Sequence, residues 1–568
     1  MNTFSTQQLF SETVTMSSML IPDGAVNELD DYEYPFENIV FEGGGSKGHS
    51  YIGAIRLLEE VGIWKNLQRF AGASVGALTA AWAAFGYNSY SMEKLSSKDF
   101  KSLLQDTGYR HLLPNLQKHY GWHKGDKFTD WVGETLATAP KGNADYDITF
   151  EDLYRKSGVE LCITVTNLHQ MDCTYCHVKT TPDLPIRKAI RMSIAVPGIF
   201  GAVRHTLSER EEIYVDGGLL CNYPITCFDG WFLSLDPRET FLQKIPLCED
   251  LATMWDVSSR FGTRNDKTIG ILLYSQDEQE VFQIALRSRL KTYVKDYHDL
   301  EIPDTCLSRK RKEDREIQND AKAQRATMSK AMSAFLKRLA ETDTDLSGTI
   351  NKAELTAAIE QGGDAFTRAD AEILFGEDFN IDTLFRTLDK DDSGEITFRE
   401  LTAFVEHKGL HILSLFRGFE SREIKDFPSF FTAVVESLLL TMKRIFVKGE
   451  DLDRTIGIDT VYIGGMDLKT EPADREFLIK QGALGCLAFL RQYIDTNRAC
   501  QRHHHASKTQ DASLSDRVIP TKEEITKEGA TGITNKDSID DTSEEVEHQP
   551  DQKSIHDPQK AITNMLPH

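Results

Sequence analysis

Apolar and polar positions divide this chain into regions of different period. Between Phe36 and about Ser275, short unbroken apolar runs alternate with stretches of helical spacing. Asn38 to Phe41, Leu67 to Ala71, Leu161 to Thr166 and Thr268 to Leu273 predict buried strands, because a strand covered on both faces loses the apolar–polar alternation. Ser50 to Glu60 reads as a helix, and a small-residue helix opens near Ala77. Strands alternating with helices predict an α/β layered fold. From about 276 to 340 the sequence turns highly charged, including Arg309-Lys310-Arg311-Lys312, and predicts a solvated linker, with contact to anionic lipid headgroups at about 1 kcal/mol per near-surface charge as the rival reading. Apolar striping returns in a helix over Phe427 to Phe446, a strand over Thr455 to Asp459 and a helix over Asp474 to Ile494. The expected organisation is therefore a flexible arm over 1–35, an α/β domain over 36–300, and a charged linker with an acidic-loop module over 301–410. The α/β domain then resumes over 411–500, and a disordered acidic tail follows over 501–568.

Composition narrows the function. The chain has 568 residues, 40 % of them apolar, and a net charge of −23. That charge argues against general nucleic-acid binding, since a phosphate backbone would be repelled. Met1 to Gly24 has no basic leader or long apolar run, and the apolar stretch from Phe430 to Phe446 is broken by Glu436, Lys443 and Arg444. With nine cysteines and no secretory signal, the expectation is a soluble cytoplasmic protein, with any membrane contact peripheral.

Candidate chemistry sits at three places. Gly72-Ala73-Ser74-Val75-Gly76 joins a predicted strand to a helix, which forces a sharp turn with Ser74 at its apex and Gly72 and Gly76 beside it. Upstream, Gly43-Gly44-Gly45-Ser46-Lys47-Gly48 follows a strand and opens a helix. Read as a dinucleotide fingerprint it lacks an acidic residue at the end of a second strand, since Glu59 and Glu60 fall within the helix. Read as a P-loop it has His49 where lysine belongs. It suits an oxyanion hole, with bare peptides at a helix start aiming their N–H groups at one point and Lys47 adding positive charge; a merely structural turn is the rival reading. Downstream, Asp216-Gly217-Gly218 ends an apolar strand with a carboxylate. It is either a turn aspartate or a base for Ser74, and as a base it needs burial to raise its pKa. A Ser-His-Asp triad would need a late histidine, for which His298, His407 and His411 qualify by order alone.

Together the three motifs resemble the patatin-like phospholipases, whose pattern is a G-G-G-x-[KR]-G loop, a G-x-S-x-G turn and a D-G-[GA] base in that order. Ala189 to Ser193, Pro197 to Phe200, Asn222-Tyr223-Pro224 and Arg454-Thr455-Ile456 also fit; Ala73 stands where the family often has threonine. The resemblance implies a three-layer α/β/α hydrolase. It implies that Ser74 attacks a glycerolipid or phospholipid acyl ester, that Asp216 moves its proton without a histidine, and that Gly43, Gly44, Gly45, Lys47 and Gly48 hold the oxyanion. No cofactor is implied for catalysis.

Two twelve-residue stretches repeat a calcium-loop spacing. Asp343, Asp345, Ser347, Thr349 and Glu354 fall at positions 1, 3, 5, 7 and 12 of the first, and Asp389, Asp391, Ser393, Glu395 and Glu400 at those of the second. Gly348 and Gly394 take the sharp turn at position 6, and isoleucines at position 8 suit pairing of the loops. Each loop resembles an EF-hand. The expectation is an all-α EF-hand module, inserted in the hydrolase, whose two Ca2+ sites regulate it. The rival readings are a catalytically dead calcium-binding scaffold and a general serine esterase or thioesterase using a triad. Cys173-x-x-Cys176-His177 matches a haem-attachment pattern but lies within the hydrolase match, and His503-His504-His505 lies where the domain fades.

Overall fold

A computed structural model describes residues 21–501 apart from 23, 99–101, 104–105, 143–144, 207–209, 246–250, 277–281, 296, 298–300, 344–346, 361–365, 377–378, 408–423, 425, 468, 497 and 499. The predicted tail after Gln501, with its histidine cluster, and His298 and His411 therefore lie outside the described residues.

The central sheet has eight strands: β1 (Asn38–Phe41), β2 (Arg69–Gly72), β3 (Glu160–Asn167), β4 (Asp172–Cys176), β5 (Val203–Thr206), β6 (Glu211–Asp216), β7 (Thr268–Tyr274) and β8 (Thr455–Asp459). Their order is β8-β7-β1-β2-β3-β6-β5, with β4 also paired to β3. The five strands from β8 to β3 run parallel. Every residue of β1, β7 and β8 is buried, as expected of parallel strands covered on both faces. The predicted strand cores fall within β1, β2, β3, β7 and β8.

One feature of β3 positions everything that follows. Its first half pairs with β2 in parallel, ending at Gly72 opposite Ile163. Its second half pairs with β6 in antiparallel, Val165 opposite Asp216. Strand β4 occupies the other edge of β3 from Ile163 to Asn167, meeting the first stretch at Ile163 and covering the second. Strands β2 and β6 thus lie end to end on one edge, and their C-terminal ends meet.

The helices that matter here are α1 (Ser50–Glu60), α2 (Val75–Ala84), α3 (Ile186–Ser193), α4 (Gln283–Tyr293), α5 (Cys306–Thr342), α6 (Lys352–Glu360), α7 (Arg368–Phe375), α8 (Ile381–Leu388), α9 (Phe398–His407), α10 (Phe427–Phe446) and α11 (Pro472–Asp495). Helix α11 packs along α1 and crosses β8, so the last elements do rejoin the sheet. Residues of α1, α2 and α11 share one apolar core with β1, β3 and β7.

Two predicted boundaries are corrected. The expected loose arm includes a helix over Ala25–Asp30 and a strand over Tyr32–Glu33 that pairs with Cys500–Gln501; Leu29 is fully buried there. The expected charged linker is largely the 37-residue helix α5. Its start is tied down by a capping box at Thr305, and Thr305 Oγ1 donates to Asp474 Oδ1 at 2.7 Å. Arg311 of the basic run pairs with Asp467 at 3.1 Å. Capping and long runs of helix-forming residues hold a helix that charge alone had disguised. The far end of α5 contributes Ala331, Met332, Phe335 and Leu339 to a separate core with Leu355, Leu374, Phe385 and Phe404 from the acidic-loop module.

Strand β8 is pinned by a buried ionic cluster. Arg454, one residue before β8, grips Asp229 through two bonds of 2.8 and 2.6 Å and Asp451 through two of 3.0 and 2.7 Å. All three side chains are at most 3 % exposed. Arg454→Leu should therefore lower stability by about 3–5 kcal/mol, because two carboxylates lose their buried counter-charge. Urea unfolding followed by circular dichroism measures it, and an unchanged midpoint would contradict the role.

Candidate active site

Ser74 stands between β2 and α2 with φ 50° and ψ −125°, a backbone conformation that a residue with a side chain seldom adopts. The flanking glycines are required by contact: a Cβ on Gly72 would strike the carbonyl of Gly76, and one on Gly76 would strike the carbonyls of Phe41 and Glu42. The Ser74 amide donates to Ser193 Oγ at 2.8 Å, and Ser193 Oγ donates to the Thr164 carbonyl at 2.8 Å. Helix α3 thus braces the turn from the other side.

Because β6 ends where β2 ends, Asp216 meets Ser74. Ser74 Oγ donates to Asp216 Oδ2 at 2.9 Å, across 142 positions of sequence. Asp216 Oδ1 accepts the Gly218 amide at 2.7 Å. The aspartate is 6 % exposed, and burial pushes its pKa up to about 7 against the opposing effect of the Gly218 amide and the Ser74 hydroxyl. Burial thus supplies the rise in basicity that an ordinary carboxylate would lack. Both Asp216 oxygens are engaged, neither of them by a histidine. His407 is exposed at the end of α9, and half-buried His49 is spent on the carbonyls of Ser46 and Ser96 at 3.1 and 3.3 Å.

The glycine loop after β1 lies against this pair: a Cβ on Gly43 would strike Asn222 Oδ1 and come within 3.1 Å of Ser74 Cβ. Its residues divide. The Gly43 amide donates to the Asn222 carbonyl at 2.9 Å, so Gly43 is corrected from oxyanion donor to anchor. Gly44 and Gly45 keep N–H groups with no acceptor among the described residues, and Gly45 is exposed. Lys47 is buried with its Nζ 3.5 Å from the Leu273 carbonyl, and Gly48 packs against Val75. Asn222 Nδ2 donates to the Gly43 carbonyl at 3.0 Å and to Glu42 Oε1 at 3.1 Å. The sequence alone assigned no role to Ser193, Asn222 or Glu42. A carboxylate directly after the apolar run Ile39-Val40-Phe41 was the signal for Glu42.

In the acidic-loop module, Ile350–Asn351 and Glu395–Ile396 form the antiparallel pair expected of the position-8 isoleucines, Ile350 opposite Ile396. Gly348 and Gly394 take φ of 75° and 84°. In the second loop, Asp389, Asp391 and Glu400 bring carboxylate oxygens within 4.8 Å of one another. Glu400 Oε1 accepts the Lys390 amide at 2.7 Å, and Ser393 Oγ donates to the Glu395 carbonyl at 2.9 Å. The Glu395 carboxylate accepts from Thr349 Oγ1 at 2.8 Å, facing the other loop. In the first loop Asp343 accepts the Ser347 and Gly348 amides at 3.2 and 3.4 Å, Ser347 Oγ meets Thr349 Oγ1 at 3.1 Å, and Glu354 accepts the Asn351 amide at 3.0 Å. Asp345 lies outside the described residues. An all-oxygen donor set on a turn held by glycine fits a hard divalent cation. Cys173 and Cys176 are buried free thiols, and His177 Nε2 meets Glu160 at 3.1 Å, an arrangement of packing. Among the described residues no helix is long and apolar enough to cross a membrane.

Known proteins share part of this chain. Residues 39–229 match the family described as patatin-like phospholipase. An uncharacterised protein, YqhO, of Bacillus subtilis (strain 168) is 33% identical over 198 residues, 33% of this chain and 65% of that protein. A probable lipid hydrolase, 463L, of Invertebrate iridescent virus 6 is 28% identical over 196 residues, 34% of this chain and 62% of that protein. The chain spans less than two thirds of the length of these relatives. VipD from Legionella pneumophila aligns with 81% of this chain and 68% of its own at 16% identity and a TM-score of 0.36, a likeness too remote to carry inference. Over residues 39–229 the chain is thus similar to the patatin-like phospholipases.

Proposed function

We propose that the protein is a serine lipid acyl hydrolase of phospholipase A type, working through Ser74 and Asp216. The observation that carries this reading is the 2.9 Å bond from Ser74 Oγ to a buried carboxylate whose pKa is about 7. Asp216 takes the hydroxyl proton as Ser74 Oγ attacks the acyl carbonyl. The oxyanion faces the amides of Gly44 and Gly45, whose dipoles are already oriented before charge develops. Collapse breaks the ester bond, and Asp216 returns the proton to the departing lysolipid oxygen. Asp216 then deprotonates a water that attacks the acyl-enzyme, and Ser74 recovers its proton as the fatty acid leaves. No step uses a histidine. Calcium at the acidic loops has a regulatory role, altering access to Ser74 or contact with a lipid surface. A glycerolipid substrate and peripheral membrane contact belong to the same reading.

Ser74→Ala should fold as the wild type does while losing hydrolysis of phospholipid and of soluble short-chain esters, together with fluorophosphonate labelling. Full activity in that variant would end the assignment, and an unlabelled wild type would favour the dead scaffold.

The base must be ionised in the free enzyme, so the raised pKa moves the acid limb upward from the ordinary carboxylate range. The expected log kcat/KM for a soluble ester rises by about one per pH unit below pH 7 and levels off about one unit above it. A profile already flat at pH 5 would contradict the assignment of Asp216. His407→Ala should leave the profile unchanged, whereas loss of turnover in that variant would favour a triad.

Glu400→Gln removes one of the two oxygens that the position-12 residue offers Ca2+. It should weaken one site by about tenfold or more in a calorimetric titration near sensor affinities of about 10⁻⁷ to 10⁻⁵ M. Activity that stays flat across that range of buffered Ca2+, with unchanged liposome binding, would refute the regulatory role.

A further inference from the structure

Glu42 closes β1 and immediately precedes the glycine loop, and it is 2 % exposed. Its carboxylate makes three bonds to three separate parts of the chain. Oε2 accepts the Leu273 amide of β7 at 2.7 Å, and Oε1 accepts Asn222 Nδ2 at 3.1 Å. Oε1 also pairs with Lys443 Nζ at 2.5 Å, and Lys443 is itself 9 % exposed. Asn222 in turn holds Gly43 by both its amide and its carbonyl. A carboxylate at that depth is tolerated only with a counter-charge, and Lys443 brings one.

Lys443 belongs to neither the sheet nor the loop. It sits on α10, which follows the acidic-loop module in the chain and packs against the short helix Gly218–Cys221 directly after Asp216. The chain of contacts therefore runs from α10 through Lys443 and Glu42 to Asn222, and from Asn222 to the turn that presents the Gly44 and Gly45 amides.

We propose that Lys443 is a positioning residue for acyl transfer. By pairing with Glu42 it fixes the glycine turn, so that a competent oxyanion site exists only when α10 is docked. The inference rests on the hydrolase reading above. Donors fixed in advance matter to the transition state and little to ground-state binding, so their loss reads out in kcat.

The test compares wild type, Lys443→Met, Lys443→Arg and the paired variant Glu42→Gln/Lys443→Met on a soluble short-chain ester, with fluorophosphonate labelling of Ser74 in parallel. Lys443→Met should lower kcat by about tenfold or more, with KM within about threefold and the labelling rate falling alongside. The acid limb set by Asp216 should not move, and Lys443→Arg should recover most of kcat. Should Lys443→Met fail to fold, the paired variant removes both buried charges and keeps the packing, and it should fold with the same loss of kcat. Wild-type kcat in either folded variant, or a change confined to KM, overturns the proposal while leaving the hydrolase reading intact. A wild type that neither turns over ester nor takes the label overturns both.

Discussion

A carboxylate removed from water and handed a single hydroxyl is the constraint on which this site depends. Asp216 is buried at the end of β6, and burial alone accounts for the rise of its pKa to about 7. Water at that position would return the group to the acidity of a free aspartate. The surrounding bonds keep it dry and fixed. Its amide goes to the Ala195 carbonyl at 3.0 Å, its carbonyl takes Thr166 Oγ1 at 2.9 Å, and its second carboxylate oxygen takes the Gly218 amide. Each of these partners is backbone or a short hydroxyl, so the carboxylate has little freedom to turn away from Ser74.

The second requirement is that two strand ends meet. Parallel strands place their C-terminal ends together, but β6 arrives from the opposite direction and stops where β2 stops, along one edge of β3. The turn after β2 and the turn after β6 therefore share a small space, and neither has room for side chains. A Cβ on Gly217 would strike the Thr164 carbonyl, just as one on Gly76 would strike the end of β1. The glycines of the two motifs are thus packing requirements of the same crossing. Strain at Ser74 follows, since the chain must reverse within two residues and still present Oγ outward.

Beyond the α/β core, helix α5 changes the meaning of the charged stretch. Its start is built into the α/β layer through Thr305 and Arg311, while its far end supplies core residues to the acidic-loop module. A helix of 37 residues makes a firm connection where a solvated linker would leave the module free to wander. On the far side, α10 leads back and carries a lysine into the layer beside the glycine loop. The module is thus tied to the α/β layer through α5.

Sequence by itself determined the parallel strands, the sharp turn at Ser74, the acidic loops and the helix over Phe427–Phe446, because each is written in local spacing that few other structures satisfy. It likewise selected Ser74 and Asp216, since glycines crowd only where backbones approach closely. It misjudged the region around 306–342, where charge hides helical periodicity, and the segment over 25–33, whose order comes from pairing with residues near 500. Only tertiary structure decided which glycine amides remain open, because the partner of Gly43 lies nearly 180 residues away on Asn222. It alone decided that Glu42 is buried against Lys443, for an ion pair between residues 400 positions apart leaves no periodic trace in either neighbourhood.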